Sequence, residues 1–306
     1  MHHSGSLVWF ALIGLAGNAS SQTTPLRQTD ALQSTFSSNL DLVVLNATVR
    51  DKKGWFVPGL TQSDFQVSED RVPQAIRLFR REDIAVTVGL VVDHSGSMRP
   101  KLPEVIAAAQ TFVTSSRADD HMFVVNFNDT VTLEGFAQPG QLAQAISSKP
   151  TMGKTALYDA VNKALEQLKA GGPPKKVLIV ISDGGDNASR ITLRQVLNEV
   201  ERSSVLVYTI GVFDEADPEQ NKKVLLHLAH VSGGESFFPH ELTGIIYICQ
   251  RIARDIRNQY TVGYVSSNTN VQPGVFRSIR LAARAPGMGQ LEVRTRTGYI
   301  AADSVK

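Results

Sequence analysis

The chain has 306 residues, with 42% hydrophobic and 20% charged content, which excludes a disordered chain and allows one large domain or two ordinary ones with real cores. A formal net charge of +2, with no Lys/Arg run, excludes nucleic acid as the expected partner. The single cysteine, Cys249, excludes an internal disulfide framework, and its apolar neighbours place it as a buried free thiol on a helix face.

Residues 1–19 read as an export signal. An apolar core runs from Leu7 to Ala16, and Gly17 and Ala19 put small residues ahead of a cleavage point after Ala19. The start is atypical, because His2 and His3 stand where Lys or Arg would supply charge; an apolar disordered tail is the other reading. No later run reaches about 18 uninterrupted apolar residues, so no transmembrane segment is expected in the mature chain. Residues 20–39 are rich in Ser, Thr and Gln and read as a flexible lead-in.

From 40 to 51 apolar and polar residues alternate as in a strand, closed by a turn at Asp51-Lys52-Lys53-Gly54. Short elements follow at 55–60 and 64–70, with one turn of helix at 61–64, and a strand is expected at 74–81. Glu69-Asp70 reads as part of a turn. Residues 40–82 carry too few apolar side chains for a core of their own, so this β unit needs a partner.

At Ile84 the pattern changes to hydrophobic strands alternating with amphipathic helices. Strands are expected at 85–92, 121–127, 131–133, 176–182 and 205–213. Helices are expected at 100–116, 140–147, 156–169, 193–202, 219–231 and 241–257. The run 85–92 is continuously aliphatic, as suits a strand covered on both faces. After Arg257 the pattern returns to strands at 259–265, 274–283 and 289–296, with turns at 268–273 and 284–288. The fold class expected is α/β: a doubly wound, mostly parallel sheet over 84–258, inserted into a small β-rich domain built from 40–82 and 259–300.

Two of the predicted parallel strands run into acids. The first ends in Asp93-His94-Ser95-Gly96-Ser97, the other in Ser182-Asp183-Gly184-Gly185-Asp186. Carboxylates and hydroxyls without thiol or imidazole partners suit a hard cation such as Mg²⁺ or Mn²⁺. Asp-x-Ser-x-Ser alone serves equally well as a strand-to-helix cap. His227, His230 and His240 form no zinc pattern, and no glycine series makes a nucleotide-binding loop. The first strand lacks an Asp-x-Asp pair, and no His or Cys is paired with a nucleophile, so an enzyme is not expected.

Taken together, Asp93-x-Ser95-x-Ser97, Gly153-Lys154-Thr155-Ala156-Leu157-Tyr158-Asp159 and Ile181-Ser182-Asp183-Gly184 resemble the von Willebrand factor type A domain family with its metal ion-dependent adhesion site. Residues 57–70 and 294–299 resemble the flanks of a bacterial secreted branch known from acidobacterial proteins. The resemblance implies hydroxyl ligands from Ser95, Ser97 and Thr155, with Asp93 and Asp183 as acidic partners that commonly act through water. It implies Mg²⁺, with Mn²⁺ or Ca²⁺ as substitutes, and a partner protein or matrix presenting Asp or Glu. His94, Lys154 and Asp186 would stand on the rim, with Asn187 beside Asp186 as a further extension, although Asp186 and Asn187 read first as an ordinary polar turn and Lys154 as a solvated side chain. In related domains the last helix, here 241–257, shifts as the metal loops open. The implied role is a secreted, periplasmic or envelope-associated adhesion module. A structural scaffold whose metal only orders the loops is the main alternative, and a metal-dependent hydrolase is a third.

Overall fold

The computed structural model describes residues 42–81, 83–135, 141–213, 218–268 and 272–301; the expected export signal and lead-in lie outside them. In chain order the elements are β1 (Leu42–Arg50), β2 (Phe65–Glu69), β3 (Val72–Gln74), β4 (Ile76–Arg80), β5 (Val86–Asp93), α1 (Leu102–Thr114), β6 (His121–Phe127), β7 (Val131–Gly135), α2 (Leu142–Ser147), α3 (Leu157–Lys169), β8 (Lys175–Ser182), α4 (Leu193–Arg202), β9 (Leu206–Gly211), α5 (Lys222–Ser232), β10 (Ser236–Phe237), α6 (Gly244–Arg257), β11 (Tyr260–Val265), β12 (Phe276–Ala283), β13 (Glu292–Arg294) and β14 (Gly298–Ile300).

The middle of the chain forms a six-stranded sheet in the order β10-β9-β8-β5-β6-β7, parallel except for the β6–β7 pair. Every residue of β5 is buried, as its unbroken aliphatic run requires of a strand covered on both sides. Val88, Leu90 and Val92 face a core built with α1, α2 and α6, which also holds Cys249. Val91, with Leu178 and Val180 of β8, faces the opposite core, built with α3, α4 and α5. Gly89 marks how tightly the layers close: a Cβ there would lie 2.6 Å from the Phe123 ring. The arrangement is the doubly wound α/β sheet expected.

Strands from the two ends of the chain interleave. One antiparallel sheet has the order β13-β1-β11-β4 and the other β14-β12-β2-β3, so each draws on both flanks. Leu45, Phe65, Val67, Tyr260, Val262, Ile279 and Leu281 meet in one core between them. The α/β portion is therefore inserted into a β-rich part whose core neither flank could build alone.

The structure differs from the sequence reading where short strands change sheets. The strand expected at 74–81 is β4, and a further short strand before it, β3, was not expected: β3 pairs with β2, while β4 pairs with β11 in the other sheet. Likewise the strand expected at 289–296 shortens to β13, beside β1, and a later strand that was not expected, β14, lies beside β12. Helix α5 starts at Lys222 rather than 219, because the Asn221 side chain accepts the Val224 N–H and caps it there.

Glu69 is not a turn residue. It ends β2, is 1% exposed, and accepts hydrogen bonds from Tyr264 (2.7 Å), Ser266 (2.6 Å), Arg277 (2.7 Å) and Tyr299 (3.0 Å). Burial alone would raise its pKa, but these four donors outweigh it and hold the carboxyl below its ordinary 4.5. A second ionic cluster joins the β part to α6 and the loop before β10. Arg50 meets Asp255 and Glu235, and Glu235 also takes Arg251 (2.8 Å) and Arg294.

Replacing Glu69 by Ala leaves Arg277 buried with Asp70 alone as counter-charge, and should cost about 3 kcal/mol. Denaturant melts of Glu69→Ala check this. The acid limb gives an independent readout. The stability Glu69 contributes is present above pH 4.5 and is lost as pH falls through its lower folded value, so the variant should lose that part of the wild-type acid transition.

Candidate metal centre

Strand β5 has β8 on one side and β6 on the other, so the sheet order reverses there. Crevices of open α/β sheets lie at the carboxyl ends of strands flanking such a reversal. Val92 pairs with Ile181, which sets Asp93 beside Ser182 and one residue short of Asp183.

Three loops are stitched together at this end. His94 N–H donates to Phe127 O (2.6 Å), Met152 N–H to His94 O (2.9 Å) and Gly96 N–H to Gly153 O (3.4 Å). Thr155 O accepts from the N–H groups of Asn187 (2.9 Å) and Ala188 (3.0 Å), while Asn187 Oδ1 accepts the Thr155 N–H (2.9 Å). Gly184 has φ +81°, and a Cβ there would lie 2.4 Å from Asn221 O, so glycine alone lets the last loop turn here.

Within this frame Ser97 Oγ donates to Asp183 Oδ2 (2.6 Å), and Ser95 Oγ lies 3.3 Å from Ser97 Oγ. Ser95, Ser97, Thr155 and Asp183 line one open cleft. Asp93 lies beneath it, fully buried, accepting from Ser182 Oγ (2.7 Å) and from Ser95 N–H (2.8 Å). Burial first, and then the charge of Asp183, push the Asp93 carboxyl up to about 7.

Four acids of the described residues are buried: Glu69, Asp93, Asp183 and Asp255. Glu69 and Asp255 face arginines, whereas the hydrogen-bond donors to Asp93 and Asp183 are all neutral. Among the described residues no three of His, Cys, Asp and Glu stand together as metal ligands. The donor set is instead two carboxylates and three hydroxyls, all oxygen, which fits a hard divalent cation.

The rim expectations fare differently. Lys154 is exposed and lines the cleft. His94 is fully buried, with Nε2 3.2 Å from Asn126 Oδ1, because its side chain falls on the inner side of the turn; burial holds its pKa below 6.5. Asp186 caps α3 instead of facing the cleft: Oδ2 accepts the Tyr158 N–H (2.9 Å) and the Ser189 hydroxyl (2.6 Å). Ser182 and Glu219, which line or support the site, were not singled out by the sequence reading, whereas Asn187 was read as a rim extension or an ordinary polar turn. Ser182 follows the apolar run of β8 as Asp93 follows that of β5, and that position was its one visible signal.

An open sheet with an oxygen-lined cleft at its reversal point defines the class: an α/β domain with a ligand site at the strand ends. The von Willebrand factor type A domain model matches residues 87–244, just over half of the chain, and the chain belongs to that family. Integrin alpha-M of Mus musculus is 23% identical over 207 residues, which cover 61% of this chain and 17% of the integrin's length. A von Willebrand factor type A structure from Catenulispora acidiphila has a TM-score of 0.50 at 11% identity, covering 88% of this chain and 76% of that one; the likeness is one of fold. The pilus adhesin SpaC from Lactobacillus rhamnosus GG, in its open conformation, has a TM-score of 0.48 at 12% identity, covering 78% and 48%.

Asp93 gives chelator-treated protein a characteristic pH response. Its folded pKa of about 7 lies above the ordinary 3.8, so folding takes up a proton between these values. The associated stability is complete below pH 3.8, declines as pH rises, and is gone above about 7. Thermal melts from pH 5 to 8 in EDTA should show Tm falling through this window, and Asp93→Asn should flatten the slope. An equally steep slope in the variant would assign it to other groups.

Proposed function

We propose that this chain is an exported protein-binding module in which Asp93, Ser95, Ser97, Thr155 and Asp183 hold one divalent cation and present it to an acidic side chain of a partner protein or matrix. The observation that carries this reading is the buried pair Asp93 and Asp183, which among the described residues has neutral donors but no arginine or lysine partner. Burial and the neighbouring charge of Asp183 disfavour the ionised form of Asp93, and a cation relieves this. Mg²⁺ suits the oxygen donors best, with Mn²⁺ or Ca²⁺ as substitutes. When bound, the cation supplies a positive centre that attracts a carboxylate, since the hydroxyls of Ser95, Ser97 and Thr155 quench little of its charge.

The chain's own residues orient this arrangement. Ser182 fixes one oxygen of Asp93, Ser97 one oxygen of Asp183, and Asn187 the backbone of Thr155. Residues 84–258 form the binding head in this reading, 40–82 and 259–300 the β-rich part, and 1–19 direct export. Adhesion to a surface or matrix follows from the same chemistry. Turnover has no support in the site: among the described residues no histidine shares a hydrogen bond with a serine, threonine or cysteine, and burial pushes the Cys249 thiol up to about 12.

Calorimetric titration with Mg²⁺ or Mn²⁺ tests the cation. Asp93→Ala should abolish binding, and Ser182→Ala, which removes a donor to Asp93 and the acceptor of the Gly184 N–H, should weaken it about tenfold. Pull-downs from envelope and medium, with Mg²⁺ and with EDTA, test the partner. Release by EDTA and by Asp93→Ala is expected. Retention of a confirmed partner at low temperature, with only Tm reduced in Asp93→Ala, would favour a scaffold whose metal orders the loops.

A further inference from the structure

We infer that the end of the β-rich part where β1 stops is a docking surface for an anionic lipid bilayer, with Trp55 and Met288 entering the headgroup region and Lys52, Lys53 and Arg284 facing its charge. Built from other residues, this surface is independent of the cation reading.

The backbone brings two turns together here. Arg50, the last residue of β1, pairs with Glu292 of β13 on one side and with Phe56 on the other. The chain turns at 51–54 between β1 and Phe56, and again at 285–288 on its way from β12 to β13. The second loop lies against the first, since a Cβ on Gly289 would stand 3.3 Å from Lys52 Cε. Backbone bonds close both turns: Gly54 N–H donates to Asp51 O (2.9 Å), and Met288 N–H to Ala285 O (3.2 Å). Asp51 tightens the first, its Oδ1 accepting the N–H groups of Lys53 and Trp55, both at 2.9 Å.

The turns are thus shaped in advance, and they hold apolar side chains out from the protein. Trp55 is 72% exposed and Met288 48%. A Cβ on Gly54 or Gly287 would meet nothing within 4 Å, so both tips project into open space. Lys52, Lys53 and Arg284 are exposed, and among the described residues no ion pair engages them. The acids nearby are already occupied: Asp51 by the two N–H groups, Glu292 by Arg294 (3.5 Å), and Asp64 by the Thr61 N–H (2.7 Å). Two projecting apolar tips with cations at their base match a bilayer surface. There an indole settles at headgroup depth while Lys and Arg meet anionic headgroups.

Sedimentation of the full chain with vesicles of phosphatidylglycerol and phosphatidylcholine, against phosphatidylcholine alone, tests this. Binding to the anionic vesicles is expected, weakening as salt rises. Lys52→Gln combined with Lys53→Gln should weaken it about thirtyfold, and Trp55→Ala about tenfold. All three positions are exposed, so these variants should melt with the unaltered protein. The sequence holds two tryptophans, and the emission difference between the unaltered chain and Trp55→Phe isolates Trp55 from Trp9. That difference should shift to the blue with anionic vesicles. Binding indifferent to these substitutions would belong to the apolar residues 7–16 and overturn the inference, as would equal binding to neutral vesicles or no binding at all. Binding abolished by EDTA would belong to the metal cleft and overturn it too. A lipid-free dimer that Trp55→Ala dissolves, or a Trp55 shift with polyglutamate but not with vesicles, would give the surface to a protein partner and overturn it.

Discussion

Two aspartates at the ends of neighbouring parallel strands, almost wholly out of water, set the electrostatic problem around which this molecule is arranged. Asp93 and Asp183 are 0% and 3% exposed, and removing ionised carboxylates from water is costly unless something nearby compensates. Hydroxyls and N–H groups compensate in part. They orient the oxygens but carry no charge, and the rise in the Asp93 pKa expresses what is left over. The surrounding layers prevent the strands from easing this by moving apart, because β5 is buried along its whole length between two helical layers.

Elsewhere the chain meets the same problem with its own cations. Glu69 is matched by Arg277 and three hydroxyls inside the β-rich part. Asp255 and Glu235 are matched by Arg50, Arg251 and Arg294 where that part meets α6. These clusters tie together segments as distant in sequence as β1, α6 and β13. The contrast gives the strand-end pair its meaning. Among the described residues the chain supplies arginine to two buried acids and only neutral donors to the other two, and the proposed cation rests on that difference.

Much of this was legible in the residues. Continuous aliphatic runs identified the covered strands, and helical spacing identified the helices between them; α4 begins and ends where expected, since Thr192 and Gln195 form a capping box. Asp93, Ser95, Ser97 and Asp183 stood out in the residues because they follow the ends of apolar strands, whereas Thr155 entered only through the family resemblance. Less legible were the strands of three residues. β3 and β4 form one polar-apolar stretch in sequence, and only the two facing sheets assign its halves to different partners. The rim position held open for His94 and Asp186 failed for a related reason. A polar residue in a loop after a strand can face the cleft, the interior or a neighbouring helix end, and its identity does not decide among them.

Local pattern by itself determined the alternation of strand and helix, the position of Asp93 and Asp183 at strand ends, and the need of each β flank for the other. These follow from periodicity, backbone preference and the scarcity of apolar residues, all of which act over a few neighbours. Tertiary structure alone decided that Glu69 is a buried anchor, that Ser182 steadies Asp93, and that Asn187 fixes the backbone of Thr155. Those contacts join residues 30 to more than 200 positions apart. They exist because sheet order and close loop packing bring the chain back on itself, and no local sequence preference encodes that return.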